Sequence, residues 1–264
     1  FFSFDSRNQD VRAEAIKAFE NFFDSKWYVL GKSTDRFEQD YAKYNNTSYS
    51  VGVGSGLEAL HLALRALNIR KGDEVIVPSN TYIATVLAIS YTGATPVFVE
   101  PRLDTCNIDP SKIAAAITSK TKCIMPVHLY GQSCEMESIM EIAKEHNLYV
   151  VEDNAQAHGA TCNNKLTGSF GQINATSFYP TKNIGALGEA GAITTDNLML
   201  AEKVRMFRNY GSKERYFNDV IGYNNRIDEF EAAYKKAAEH LRKSVYCQHY
   251  EISRCVEEPE LYTV

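Results

Sequence analysis

A single lysine stands between an aromatic, strand-like run and a glycine-studded turn in SFYPTKNIGALGEAGAI, residues 177–193. Lysines are overwhelmingly solvated surface residues, so Lys182 carries meaning only where other residues give an amine something to do. Three stretches offer such residues. In VGVGSGLEAL (51–60), Ser55 and Gly56 open a helix, and the free N–H groups and positive dipole end of a helix start suit a phosphate. The plain alternative is a glycine-rich helix entry with Ser55 as its N-cap. A dinucleotide fingerprint does not fit, because Leu57 stands where GxGxxG requires its third glycine. In VVEDNAQAHGA (150–160), Glu152, Asp153, Gln156 and His158 follow two valines of a buried strand. Carboxylates at that end of a strand face the ligand crevice of an open α/β sheet, where one of them could pair with a heterocyclic N–H⁺. His158 reads as a structural hydrogen-bonder, and no second histidine or cysteine lies at metal-ligand spacing. In VPSNTYIAT (77–85), Tyr82 follows a strand end at the same edge, placed either to stack on a planar ligand or to pack at the start of the next helix.

Together these residues match the needs of one cofactor. A phosphate wants a helix N-terminus, a pyridine ring wants an aromatic face, and its protonated nitrogen wants a carboxylate. An aldehyde carbon wants a lysine. That cofactor is pyridoxal 5′-phosphate, held covalently by the lysine with a carboxylate on the ring nitrogen. The order Ser55-Gly56, Tyr82, Asp153, Lys182 predicts four sites on successive crossover loops of one sheet.

The elements that must position them alternate. DEVIVP, TPVFVE, KCIMPVHLYG, LYVVEDN, NATSFYP and AGAITT read as strands. Helical spacing covers 10–23, 35–44, the run from VGVGSG into LEALHLALRAL, and about 83–91, 110–117, 136–145 and 198–207. Such alternation implies an α/β sandwich of three layers with a mostly parallel central sheet. The 264 residues can bury a large core, and 44% hydrophobic with 23% charged residues is ordinary for a globular protein. A net charge of -5 leaves no basic patch for nucleic acid. No apolar run approaches the ~20 residues of a membrane helix, and no secretory leader opens the sequence. Six scattered cysteines without zinc spacing read as reduced thiols of a cytoplasmic protein.

The sequence is, beyond these separate features, similar to the sugar aminotransferases of the DegT/DnrJ/EryC1/StrS family, which are fold-type I pyridoxal-phosphate enzymes. The resemblance runs from about Asn8 to Ala233. It is carried by WYVLGKSTDRFEQDYAKY, VGVGSGLEALHLALRALNIRKGDEVIVPSNTYIATVLAI, GATPVFVEP, NIDPSKIAAAITSKTKCIMPVHLYGQ, VEDNAQAHGA, SFYPTKN with GEAGAITT, and GYNNRIDEFEAA. It implies that Lys182 binds the cofactor aldehyde, Asp153 pairs with the pyridine nitrogen and Tyr82 stacks on the ring. It further implies that Ser177 and the Ser55-Gly56 turn cradle the phosphate and that Gln156 lies near the ring hydroxyl. Asn224 is the match for an asparagine that reaches the phosphate of the neighbouring subunit, so a homodimer with shared sites is implied. His128 lies near the crevice in the family.

The wording of GLEAL, VPSNTYIAT, PVFVEP, VHLYGQ and RNYGSKERYFNDVIGYNNR is most similar to enzymes acting on dTDP-linked 3-keto-6-deoxyhexoses. The resemblance thus implies ping-pong transfer from L-glutamate, releasing 2-oxoglutarate, to a nucleotide-linked keto sugar, in surface-polysaccharide or glycoside biosynthesis. Enzymes of 4-keto sugars, and a cofactor-binding protein without transferase activity, are the alternatives. The dehydratase branch, which has histidine for the lysine, is disfavoured by Lys182. A nicotinamide-dependent oxidoreductase is disfavoured by the broken glycine pattern. Residues 1–233 are expected to form the N-terminal helices and large cofactor-binding domain. Residues 234–264 depart from the family and are expected to be a partial, smaller C-terminal domain of a longer protein.

Overall fold

The computed structural model describes residues 5–214 and 217–234. The expected C-terminal remnant, 234–264, lies outside the described residues but for Tyr234. The chain opens with helices α1 (Asp5–Ser25) and α2 (Lys32–Tyr44), then β1 (Tyr49–Val53) and α3 (Gly56–Ala66). Next come β2 (Glu74–Pro78), α4 (Ile83–Tyr91), β3 (Thr95–Val99), α5 (Pro110–Ala116), β4 (Thr121–Ile124) and α6 (Met136–Glu145). They are followed by β5 (Tyr149–Asp153), the small hairpin β6 (Thr161–Cys162) and β7 (Lys165–Leu166), β8 (Ile173–Ser177) and β9 (Gly191–Thr195). Helix α7 (Leu198–Arg208), the short pair β10 (Ser212–Glu214) and β11 (Phe217–Asn218), and α8 (Glu229–Tyr234) complete the order.

Seven strands form the central sheet in the order β1-β9-β8-β5-β4-β2-β3. The pairs from β8 through β5, β4, β2 and β3 are parallel, while β9 runs antiparallel to both β8 and β1. The sheet is therefore mostly parallel with one reversed strand, in a three-layer α/β sandwich. Side chains alternate cleanly between its faces. Val75, Val77, Cys123, Val151, Ile173 and Ala175 pack with residues of α3, α4 and α7, whereas Ile76, Ile124 and Val150 pack with α5 and α6. Burial on both faces is what the near-continuous apolar strands require. Among the described residues no helix is long and apolar enough to cross a membrane.

Three elements differ from expectation. The SVGV run is not only a glycine turn but edge strand β1. Gly52 is required there, because a Cβ would lie 2.7 Å from the Ile227 side chain. The open side of this strand is closed by side chains. Glu38 accepts from the Gly52 N–H, Arg208 donates to the Gly52 carbonyl, and Arg205 lies 3.5 Å from the Ser50 carbonyl. Such cover removes a ready pairing edge. Helix α2 begins at Lys32 rather than near Asp35, because the distant Glu229 carboxylate accepts from the N–H groups of Gly31, Ser33 and Thr34 and from the Thr34 hydroxyl. Burial pushes this carboxyl's pKa up, yet those hydrogen bonds prevail and hold it below its ordinary value. Finally, the chain between β8 and β9 is an antiparallel return, not a crossover, so Lys182 does not sit on the same kind of loop as Tyr82.

Candidate active site

Ser55, Gly56, Tyr82, Asp153, Gln156, Ser177 and Lys182 end or follow β1, β2, β5 and β8 at their carboxyl ends, whereas Asn224 lies apart, between β11 and α8. Strand alternation selects the face. Asp153 has the parity of Val151, and Ser177 has the parity of Ile173 and Ala175, so both carboxyl-end side chains leave the sheet toward α3 and α4.

Ser55 caps α3, its Oγ accepting from the Glu58 N–H at 3.2 Å. The helix start lies directly against β8, since a Cβ on Gly56 would come within 2.5 Å of the Ser177 Cβ and 3.0 Å of its Oγ. A Cβ on Gly191, the first residue of β9, would collide with the Ser55 carbonyl. Two glycines thus let a strand end, a helix start and a serine meet in one small cradle of polar groups, the arrangement an anion needs.

After β8, Tyr179 to Lys182 form a turn with Pro180 in its second position and the Lys182 N–H donating to the Tyr179 carbonyl at 2.8 Å. Phe178, fully buried among Phe37, Tyr41 and Ile227, anchors this loop from below. Lys182 is half-buried and near enough to Asp153 for each charge to act on the other. Burial lowers the lysine's pKa from its ordinary value, and the attraction of Asp153 opposes that only in part. Burial likewise raises the pKa of Asp153, against hydrogen bonds from Thr85 and the Ala155 N–H and the charges of Lys182 and His128. In both groups desolvation is the larger effect. Burial thus works against the charged form of both side chains, while their mutual attraction works for it.

Tyr82 is the N-cap residue of α4 and 71% exposed, with its ring on the rim of the crevice. One turn later on the same helix, Thr85 donates to Asp153 Oδ2 at 2.8 Å. Gln156 follows β5 by three residues, and its Oε1 accepts from the Tyr130 N–H at 3.2 Å. Tyr130 has φ 56° and ψ 30° in a tight turn that continues through Gly131 at φ 90°. His128 is fully buried on the other side of the sheet from Asp153. Its Nδ1 accepts from the Cys134 N–H, which leaves the ring proton on Nε2 facing Glu152 at 2.9 Å. The His158 ring packs against Phe178 at 5.4 Å. Asn224 is exposed, and its Oδ1 accepts from Arg226 Nη2 at 2.6 Å. Thr85 and Thr81 were not singled out by sequence reasoning; their signal was helical spacing, one turn beyond Tyr82 for Thr85.

These features fit pyridoxal 5′-phosphate. The buried Asp153 carboxylate, its charge disfavoured chiefly by desolvation, suits a ring N–H⁺, the Tyr82 face suits the ring, the cradle suits the phosphate, and the desolvated Lys182 suits an aldehyde. Among the described residues no group of three histidine, cysteine or acidic side chains could hold a metal.

Residues 9–243 match the DegT/DnrJ/EryC1/StrS aminotransferase family. The chain is 54% identical over 226 residues to the dTDP-3-amino-3,6-dideoxy-alpha-D-galactopyranose transaminase of Aneurinibacillus thermoaerophilus, covering 86% of this chain and 62% of that protein. Its fold superposes with a TM-score of 0.89, at 46% identity, on the crystal structure of Streptomyces venezuelae DesV in complex with a ketimine intermediate, covering 91% of this chain and 65% of the other. A further match, at TM-score 0.82 and 35% identity over 87% of this chain and 52% of the other, is Bacillus subtilis ntda with bound cofactor PMP. The chain spans about three-fifths of the length of the curated relatives it matches. With most of its length matched and its site built as described, the chain belongs to the DegT/DnrJ/EryC1/StrS aminotransferase family.

Proposed function

We propose that the protein is a pyridoxal-phosphate-dependent aminotransferase that moves an amino group from L-glutamate to a nucleotide-linked keto-deoxyhexose. Its favoured substrate is a dTDP-3-keto-6-deoxyhexose and its product the 3-amino-3,6-dideoxy sugar. The observation that carries the activity is a desolvated Lys182 and a buried Asp153 that act on each other's charge, with the Ser55-Gly56-Ser177 cradle on the same sheet edge. The sugar assignment rests on the activity of the 54%-identical relative.

When bound, pyridoxal phosphate supplies an aldehyde that captures amines and a ring that takes up the electrons of a carbanion. The protein's own residues do the rest. Lys182 would hold the aldehyde, and its amine, whose pKa burial lowers, would serve as the base for the donor's α-proton. Asp153 would keep a proton on the ring nitrogen, the α3 N-terminus and Ser177 would bind the phosphate, Tyr82 would offer its face to the ring, and Gln156, held by the Tyr130 N–H, would serve the ring hydroxyl. Asn224 reaches the phosphate of the neighbouring subunit in a homodimer. The four described cysteines are free thiols, in keeping with a cytoplasmic enzyme.

The test is incubation of the full-length protein with glutamate and a panel of 3-keto and 4-keto dTDP- and UDP-sugars, with mass spectrometry of the products. An amino sugar formed from the 3-keto substrates supports the proposal; amination confined to 4-keto sugars overturns the assignment of carbon, and no amination of any overturns the function.

A further inference from the structure

We infer that Thr85 is a positioning residue: its hydroxyl, braced by Thr81, orients the Asp153 carboxylate and keeps it ionised for the cofactor's ring nitrogen. The inference rests on the pyridoxal-phosphate reading above.

Thr85 is 1% exposed, in a helix whose neighbouring core positions are Ala88 and Ile89. A buried hydroxyl among apolar side chains is costly without a partner. Its partner is Asp153 Oδ2, at 2.8 Å. The second oxygen, Oδ1, accepts from the Ala155 N–H at 3.1 Å. One donor on each oxygen fixes the plane of the carboxylate. An ionised carboxylate only accepts, so the Thr85 proton is committed to Asp153. The hydrogen bond between the Thr85 and Thr81 hydroxyls, at 2.8 Å, must then run from Thr81 to Thr85.

The result is a directed chain, from the half-buried Thr81 on the crevice rim through Thr85 to the acid at the end of β5. Each link polarises the next toward the anion. The other ionisable groups that act on Asp153 are Lys182, from the β8–β9 loop, and His128, from the segment after β4. Glu152 leaves by the opposite face. Helix α4 consequently serves the ring twice in one turn, with the Tyr82 face and, three residues on, with the brace of its acid partner.

The experiment compares Thr85→Val, Thr85→Ser and Thr81→Val in the full-length protein. Cofactor-free protein is titrated with pyridoxal phosphate across pH, followed by visible absorbance, and the pH profile of kcat/KM is measured. Valine keeps the shape of threonine and removes the donor. Since a donor to the charged form lowers an acid's pKa, its loss raises that of Asp153, and the acid edge of cofactor binding and of kcat/KM moves to higher pH. Binding at neutral pH weakens about tenfold. Serine restores both, and Thr81→Val shifts the edge the same way by less. Should Thr85→Val not fold, the Thr81→Val edge decides. A valine variant superimposing on wild type, or a serine variant as impaired as valine, overturns the role of Thr85. A wild type that takes up no cofactor overturns instead the reading on which it rests.

Discussion

Glu152 and Asp153 are adjacent acids at the end of β5 whose carboxylates leave opposite faces of the sheet and meet opposite fates. Glu152 is saturated: it accepts from the N–H groups of Gly168, Phe170 and Gly171 and from His128 Nε2. It holds the 168–171 loop in place beneath the sheet. Asp153, on the face of α3 and α4, accepts from Thr85 and the Ala155 N–H, and burial still raises its pKa against those bonds and the charge of Lys182. One residue of strand register therefore separates a structural acid from a chemical one.

Replacing Glu152 by Gln puts an NH₂ group against backbone N–H donors on whichever side it turns. Stability should fall by about 2–3 kcal/mol, seen as a lower Tm. Cofactor spectra of the remaining folded protein should match wild type. An unchanged Tm would deny Glu152 its structural role.

Asp153→Asn should do the reverse. The fold holds a carboxyl whose pKa burial has raised, so the ionised form is a liability at neutral pH and the amide removes it. Tm of the cofactor-free protein should rise by a few degrees near pH 7. The gain should begin to shrink as pH falls through the raised pKa of the wild-type acid and vanish below its ordinary 3.8, where the acid is neutral in both folded and unfolded chains. Turnover should drop about a hundredfold or more. A variant with wild-type kcat would remove Asp153 from the chemistry.

Much of this site was legible in residue types at strand ends, because parallel sheets bind at their carboxyl edge and the strand runs were long and apolar. Tyr82 and Asp153 were read that way, Ser55 and Gly56 from a helix start, and Lys182 from its place between an aromatic run and a glycine-studded turn; Ser177 entered only through the family resemblance. What escaped were relationships between distant residues. Nothing local to KSTDRF announces that Glu229 will cap α2, and nothing in SVGV shows that Gly52 is small to admit Ile227. The antiparallel β9 was hidden because a buried strand reads the same in either direction. Thr85 was hidden because helical spacing makes it a core position, and only the presence of Asp153 beneath it gives the hydroxyl a purpose.

The Lys182 amine should titrate below its ordinary 10.5, burial being the principal cause. Capture of pyridoxal phosphate, trapped by borohydride, needs the neutral amine. Its rate should therefore rise with pH and reach half its plateau below pH 10.5. Asp153 is the group that pulls the amine's pKa back up, so Asp153→Asn should move the midpoint lower still. A midpoint that stays put or moves upward in the variant would show that the two side chains do not interact.

Gly56→Ala tests the cradle. The added Cβ would lie 2.5 Å from the Ser177 Cβ, and a helix start packed on a strand end has little room to retreat. Overpacking of this kind costs about 1–3 kcal/mol. The affinity for pyridoxal phosphate and for inorganic phosphate as a competitor should fall together by roughly tenfold or more, since about 1.4 kcal/mol is a factor of ten. Binding of both at wild-type strength would mean that the phosphate lies elsewhere.

Asn224 gives the sharpest test of shared sites, because it is exposed and bonded to its own Arg226 rather than buried among Lys182, Asp153 and Ser177. Lys182→Ala should abolish turnover and the visible absorbance of the lysine-bound cofactor while leaving the fold, and Asn224→Ala should weaken phosphate binding and slow turnover. If each site draws its lysine from one subunit and its asparagine from the other, a mixed dimer of the two variants regenerates one wild-type site per dimer. Random pairing of equal amounts makes half the dimers mixed, so about a quarter of all sites should recover. Turnover after co-refolding or co-expression should approach that fraction of wild type, well above the mean of the two parent variants. If Asn224 serves its own subunit, the mixed dimer has one site without lysine and one without asparagine, and mixing gains nothing.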